Sequence, residues 1–121
     1  ANVGQRLPIH VTAAGRAILA QYSPTERAAT LKRIKYQRYE KDTFMTPESV
    51  ELDVQKNARN GWYVNPGIYA PGVAGIAVPF PFRGRRNAIA LGGPVSRIEK
   101  RVDSIGALLR EAIDRFLKDN E

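Results

Sequence analysis

The last quarter of the chain repeats an apolar residue every three or four positions: Ile98, Val102, Ile105, Leu109, Ile113, then Phe116 or Leu117. That period draws one apolar stripe along an α-helix. Ser96 followed by Glu99 reads as a capping box, so the spacing predicts a single helix over 97–118, roughly 33 Å long at about 1.5 Å per residue. Leu108 and Ala112 widen the stripe enough to serve both a sheet and a second partner.

The sheet is legible upstream. Residues 73–80 (Val-Ala-Gly-Ile-Ala-Val-Pro-Phe) read as a strand of unusually small side chains, and 87–92 (Asn-Ala-Ile-Ala-Leu-Gly) as its partner. The connection from Pro81 to Arg86 holds Arg83-Gly84-Arg85-Arg86, a charged turn, so the pair reads as a hairpin. Trp62-Tyr63-Val64 reads as a further short strand. Residues 65–72 carry two Pro and two Gly and must form a loop.

Three shorter helices precede the strands. Residues 12–21 are Ala-rich with Thr12 near the start, and small residues would let something approach the first turn closely. Ser23, Pro24 and Glu26 form a capping box with Pro at the first helical position. Ala28, Leu31 and Ile34 give that helix its stripe, with Lys32, Arg33 and Lys35 mostly away from it. Thr46-Pro47-Glu48 opens a third helix, with Val50, Val54 and Ala58 at four-residue spacing and Gly61 as its stop.

Composition narrows the function classes. At 121 residues the chain makes one domain. No run of apolar residues is long enough for a transmembrane helix, and no signal peptide is visible. Cysteine is absent, which excludes disulfides, thiolate zinc sites and cysteine catalysis and fits a reducing cytoplasm. The net charge of +7 permits an anionic partner. It is spread evenly, with no basic arm. The basic clusters at Lys32 to Lys41 and Arg83 to Arg86, with Tyr36 and Tyr39 interleaved in the first, leave open a module that binds nucleic acid directly. The bland reading of both clusters is a solvated surface.

Catalytic chemistry is hard to assemble. His10 is the one histidine, which rules out a histidine metal site within one chain, and it has no carboxylate partner nearby in sequence. The glycines do not form a dinucleotide fingerprint or a P-loop. We therefore expect no enzyme, no catalytic residues, no metal and no cofactor. What stands out is negative space. Ala13, Ala14, Gly75, Ala77, Ala90, Gly92 and Gly93 are small residues on a helix start and two paired strands. The room they leave must be filled by side chains such as Trp62, Tyr69 or Phe80, or by a ligand.

Taken in order, four segments resemble the effector-binding domain of the isocitrate-lyase-regulator (IclR) family of bacterial transcription factors. They are Val3-Gly4-Gln5-Arg6-Leu7-Pro8-Ile9-His10-Val11-Thr12-Ala13-Ala14-Gly15-Arg16-Ala17-Ile18-Leu19-Ala20, Asn60-Gly61-Trp62-Tyr63-Val64-Asn65, Gly72-Val73-Ala74-Gly75-Ile76-Ala77-Val78-Pro79, and Ala88-Ile89-Ala90-Leu91-Gly92-Gly93-Pro94-Val95-Ser96-Arg97-Ile98. The resemblance implies an α/β (α+β), GAF-like fold: an antiparallel sheet flanked by helices, with a long C-terminal helix. It implies that residues 1–121 make a single, partial effector-binding domain that starts about a third of the way in. The winged helix-turn-helix that reads operator DNA would lie outside this chain. It further implies a cytoplasmic homo-oligomer, dimer or tetramer, that senses a small organic effector, a carboxylate or an aromatic. Operator DNA would be met only through the missing domain, and no membrane is involved.

Pocket positions carry over from the resemblance residue by residue. The family's first-turn amides fall on Ala13 and Ala14, its acidic residue on Asn65, its cysteine on Gly75 and its two serines on Ala90 and Gly92, while Val73 keeps an apolar wall. Smaller and neutral groups at four of these positions imply a larger, more apolar pocket.

Overall fold

A computed structural model of the chain describes residues 12–36, 46–66 and 72–120. The elements run α1 (Ala13–Leu19), α2 (Pro24–Arg33), α3 (Pro47–Asn57), β1 (Tyr63–Asn65), β2 (Val73–Phe82), β3 (Arg85–Pro94), α4 (Val95–Ile98) and α5 (Val102–Asp119). The three strands form an antiparallel sheet in the order β1-β2-β3. Helices cover both of its faces, so the expected architecture holds.

Local signals set the helix starts. Thr12, Ser23 and Thr46 each accept a hydrogen bond from a backbone N–H three residues on, at 3.0, 3.2 and 3.1 Å. Each thereby satisfies one of the donors that a helix start leaves open. The box expected at Ser23 is only half made. The carboxylate of Glu26 instead takes two hydrogen bonds from Arg86 on β3, at 3.0 and 2.6 Å. A forked guanidinium outcompetes a single backbone amide for both carboxylate oxygens. Ala28 is exposed rather than part of an apolar stripe; Leu31 and the stem of Arg27 are the buried positions of α2.

The hairpin is tighter than the sequence suggests. Its strands extend to Phe82 and from Arg85, and the turn is only Arg83-Gly84. Both turn residues have positive φ, 53° and 74°, as a two-residue primed turn requires. Of the loop expected over 65–72, residues 67–71 lie outside the described residues, and Asn65 belongs to β1.

Alternation along the strands divides the core in two. On one face Tyr63 and Ala77 join Ala13, Ala17, Leu19, Leu31, Val50 and Val54 from α1, α2 and α3. On the other, Ala74 and Ile76 join Ile98, with Trp62, Val64, Ile105 and Leu109 packed around them. Trp62 lies flat against α5 at Gly106, where an added Cβ would stand 2.4 Å from the indole. Only glycine permits that approach. Phe80 stacks on Phe82 with ring centroids 5.4 Å apart, and both meet Phe116.

The single helix expected over 97–118 is two helices. The sequence keeps its period through Ile98, Val102 and Ile105, but the chain leaves helical geometry at Arg101, with φ −128° and ψ 16°. The break lets Ile98 turn into the sheet while α5 runs along it. The Ser96–Glu99 capping box does not form. Ser96 lies inside α4, whose start is capped by no side chain, and Val95 N–H donates instead to the Gly72 carbonyl. No helix among the described residues is long and apolar enough to cross a membrane.

Candidate functional site

The register of the sheet aligns Asn65 with Gly75 and Gly75 with Gly92, so these three share one face across all three strands. Ala90 lies two residues from Gly92 on the same face, opposite Ala77. The first turn of α1 crosses this face. Between helix and sheet lies a recess of about 280 Å³. Ala13, Ala14, Asn65, Val73, Gly75, Ala90 and Gly92 all line it, together with Thr12, Ala74 and Leu91. The structure thus brings together all seven residues singled out from the sequence, drawn from four stretches of chain.

The small residues create the space. A Cβ built on Gly75 or Gly92 has only one neighbour, a backbone oxygen at 3.7 Å in each case. Neither glycine is there to avoid a clash; each leaves volume open. Trp62 and Phe80 both pack on the far face against α5, and Tyr69 lies outside the described residues.

None of the ten lining side chains is ionisable. Polar character comes from the Asn65 amide, the Thr12 hydroxyl and the backbone. The amides of Ala13 and Ala14 open α1 and have no acceptor within their own helix. Such a lining can hold an apolar ring or chain and orient one polar end by hydrogen bonds.

A buried ion pair fixes two walls of the recess relative to each other. Arg16, on α1, is 1% exposed. It donates through Nη1 to Asp53 of α3 at 2.5 Å, and through Nη2 to the backbone carbonyl of Val64 in β1. Burial lowers the Arg16 pKa, and the Asp53 carboxylate opposes that effect. Asn65 follows Val64 directly, so the guanidinium ties the Asn65 wall to α1. No local pattern marks this role, because Asp53 lies 37 positions away.

A second pair braces α3. Arg27 grips Glu51 through two hydrogen bonds of 2.7 and 2.9 Å. That bonding raises the Arg27 pKa and lowers that of Glu51. Tyr63 donates its hydroxyl to the Val54 carbonyl at 3.0 Å, and burial pushes its phenol up to about 12.

The basic turn is partly engaged. Arg86 holds Glu26 and stacks over Tyr22 at 4.2 Å, and Arg83 stacks over Phe82 at 5.0 Å. Of the other basic cluster, residues 37–41 lie outside the described residues, as does His10. Among the described residues no group of three His, Cys, Asp or Glu could hold a metal ion.

Comparison with known proteins places this geometry. The family model "Bacterial transcriptional regulator IclR C-terminal" matches residues 1–116. The transcriptional repressor IclR of Escherichia coli (strain K12) is 30% identical over 119 residues, covering 93% of this chain; the chain spans 42% of that repressor's length. An IclR homolog from Microbacterium hydrocarbonoxydans, solved in complex with 4-hydroxybenzoate, superposes with a TM-score of 0.66 at 25% identity, covering 88% of this chain and 47% of that one. The inducer-binding domain of a double mutant of the PobR transcription factor from Acinetobacter, solved with 3-hydroxybenzoic acid, shares the fold. Its TM-score is 0.79 at 19% identity, covering 95% of this chain and 68% of that one.

Proposed function

Since the chain belongs to the bacterial transcriptional regulator IclR C-terminal family, we propose that it is the effector-sensing and oligomerising part of a DNA-binding regulator in the cytoplasm. The effector would occupy the recess under α1. The observation that carries this reading is the convergence of Ala13, Ala14, Asn65, Val73, Gly75, Ala90 and Gly92 on one recess that no side chain among the described residues fills.

The recess suggests the effector class. At about 280 Å³ it lies at the small end of ligand sites, so the ligand is smaller than a drug molecule. Its lining favours an aromatic or aliphatic body over a highly charged one. A single carboxylate would be met by N–H groups of the first turn and by Asn65. Two structural relatives are named as complexes with hydroxybenzoates, which is the same chemistry. The named relatives are a repressor and transcription regulators, which supports a sensor and not an enzyme.

Direct nucleic-acid binding draws less support, because Arg86 is committed to Glu26 and Tyr22. Operator DNA is assigned to a domain outside this chain.

A thermal-shift screen of aromatic and aliphatic carboxylates tests the proposal, with 3- and 4-hydroxybenzoate included. A ligand that binds only the folded state adds about 2.7 kcal/mol at 100 times its Kd, which is easily seen as a raised midpoint. If no acid in the panel raises the midpoint, the effector reading fails. Tight salt-sensitive binding of DNA by this chain alone would favour the other reading.

A further inference from the structure

We propose that the hollow on the α5 side of the sheet, rimmed by Arg97, Lys100 and Arg101, is a second binding site that takes a small amphipathic anion. Its ligand has an apolar body of one or two rings, or a medium-length chain, and ends in a carboxylate, sulfonate or phosphate. The inference does not depend on what occupies the recess under α1.

The hollow measures about 520 Å³, larger than the recess. It sits where the chain breaks between α4 and α5. That break turns Ile98 down into the core, where it is 4% exposed, and leaves the three cationic residues around the rim. Leu91 of β3 and Ile105 of α5 complete an apolar floor. Leu91 is 43% exposed. A large aliphatic side chain half open to water at the bottom of a concavity is surface that a ligand can cover.

Arg16, Arg27, Arg86, Arg110 and Arg115 each hold a carboxylate or a carbonyl. The rim cations Arg97, Lys100 and Arg101, like Arg33, Arg59 and Arg85 elsewhere on the surface, are exposed and unpaired among the described residues. The acids nearest in sequence, Glu99 and Asp103, do not line the hollow. Three like charges around an apolar concavity focus a positive potential into it. An anion relieves their mutual repulsion, and its apolar body covers the floor. A nucleic-acid backbone would meet the rim and leave the floor bare, so the smaller amphipathic ligand fits better.

The hollow and the recess lie on opposite faces of the sheet. β3 divides them: Ala90 and Gly92 lie on the recess face, and Leu91, which borders both cavities, pairs with Ile76 on the α5 face. Each site can therefore be blocked alone.

The probe is 8-anilinonaphthalene-1-sulfonate, titrated into the purified chain and followed by fluorescence and calorimetry. One probe is expected to bind per chain with blue-shifted emission, and octanoate is expected to displace it. Affinity should fall about tenfold or more in R97E/R101E. It should weaken several-fold as salt rises from about 0.1 M to about 1 M, where the Debye length shrinks from about 10 to about 3 Å. Gly92→Leu should leave it in place. R97Q/R101Q, which adds no acid, guards against misfolding and should also weaken binding, with circular dichroism unchanged. Absence of stoichiometric binding overturns the proposal. So does affinity in both double variants equal to that of the parent chain, or loss in Gly92→Leu alone, which would place the probe in the recess. Displacement by a short DNA duplex but not by octanoate overturns the small-anion assignment.

Discussion

Replacing Gly92 with Leu separates empty space from core. Gly92 lies in β3 with its missing side chain directed into the recess, and an added Cβ would meet only the Ala74 carbonyl oxygen, at the ordinary distance of 3.7 Å. The remaining carbons then extend into about 280 Å³ of open volume. The overpacking cost of about 1–3 kcal/mol that follows insertion into a filled core should not arise. Removing a glycine from a strand recovers about 0.5–1 kcal/mol of conformational entropy, which offsets what the exposed leucine loses. The net change should lie within about 1 kcal/mol, or a few degrees in Tm for a domain of this size. Effector affinity should drop by about two orders of magnitude, equivalent to about 2.7 kcal/mol. The assay is melting by circular dichroism without ligand, paired with calorimetric titration of whichever acid raises the midpoint of the parent chain. A Tm lowered by about ten degrees would show that the space is core after all. Unchanged binding with unchanged Tm would show that the ligand sits elsewhere.

Gly106→Ala should behave in the opposite way. Alanine is worth about 1 kcal/mol in a helix, but its Cβ would overlap the Trp62 ring at 2.4 Å, so the variant should lose stability on chemical denaturation; a gain would show that Trp62 can move aside. Tyr63 gives a pH signature: its phenol is pushed up to about 12 by burial, so the stability it contributes is fully present below about pH 10 and fades as pH rises from about 10 through about 12. Tyr63→Phe should be less stable at neutral pH, having lost the bond to Val54, yet show a shallower alkaline decline; an identical decline would assign it to another group. Leu108 and Ile89 are exposed apolar residues on α5 and β3, so sedimentation at tens of micromolar should show a dimer, and a monomer at both low and high salt would reject self-association of this chain.

How far the sequence spoke depended on the range of the interaction. Thr12, Ser23 and Thr46 act within one helical turn, and their helices start where the sequence puts them. The hairpin was legible because a turn and two alternating runs are also local, although the primed turn pulled two more residues into each strand. The helix break at Arg101 was not, because the apolar period passes through it unbroken. What bends the chain is the place for Ile98 beside Ala74 and Ile76, a tertiary demand. The fate of Glu26 was hidden for the same reason, since its partner Arg86 is 60 positions away. Seven positions of the recess came from the resemblance, and the pairing of Gly75 with Gly92 explains why they meet. A period-two run of small residues, Gly75 and Ala77 against Ala90 and Gly92, was the physical signal for the floor. Thr12 was read only as a helix start, yet it also lines the recess.

The Arg16–Asp53 pair also constrains how this sequence can drift. Loss of Asp53 would strand a guanidinium that is 1% exposed beside the Val64 carbonyl without its counter-charge. Loss of Arg16 would leave the Asp53 carboxylate, whose side chain is 19% exposed, with the Asn57 amide but without its counter-charge. Breaking a buried pair on one side typically costs about 3–5 kcal/mol, much of the margin of a domain this small, whereas exchanging both members for well-packed apolar residues can be neutral. Positions 16 and 53 should therefore change together or not at all, and a library randomised at both should return joint replacements while selecting against either single one.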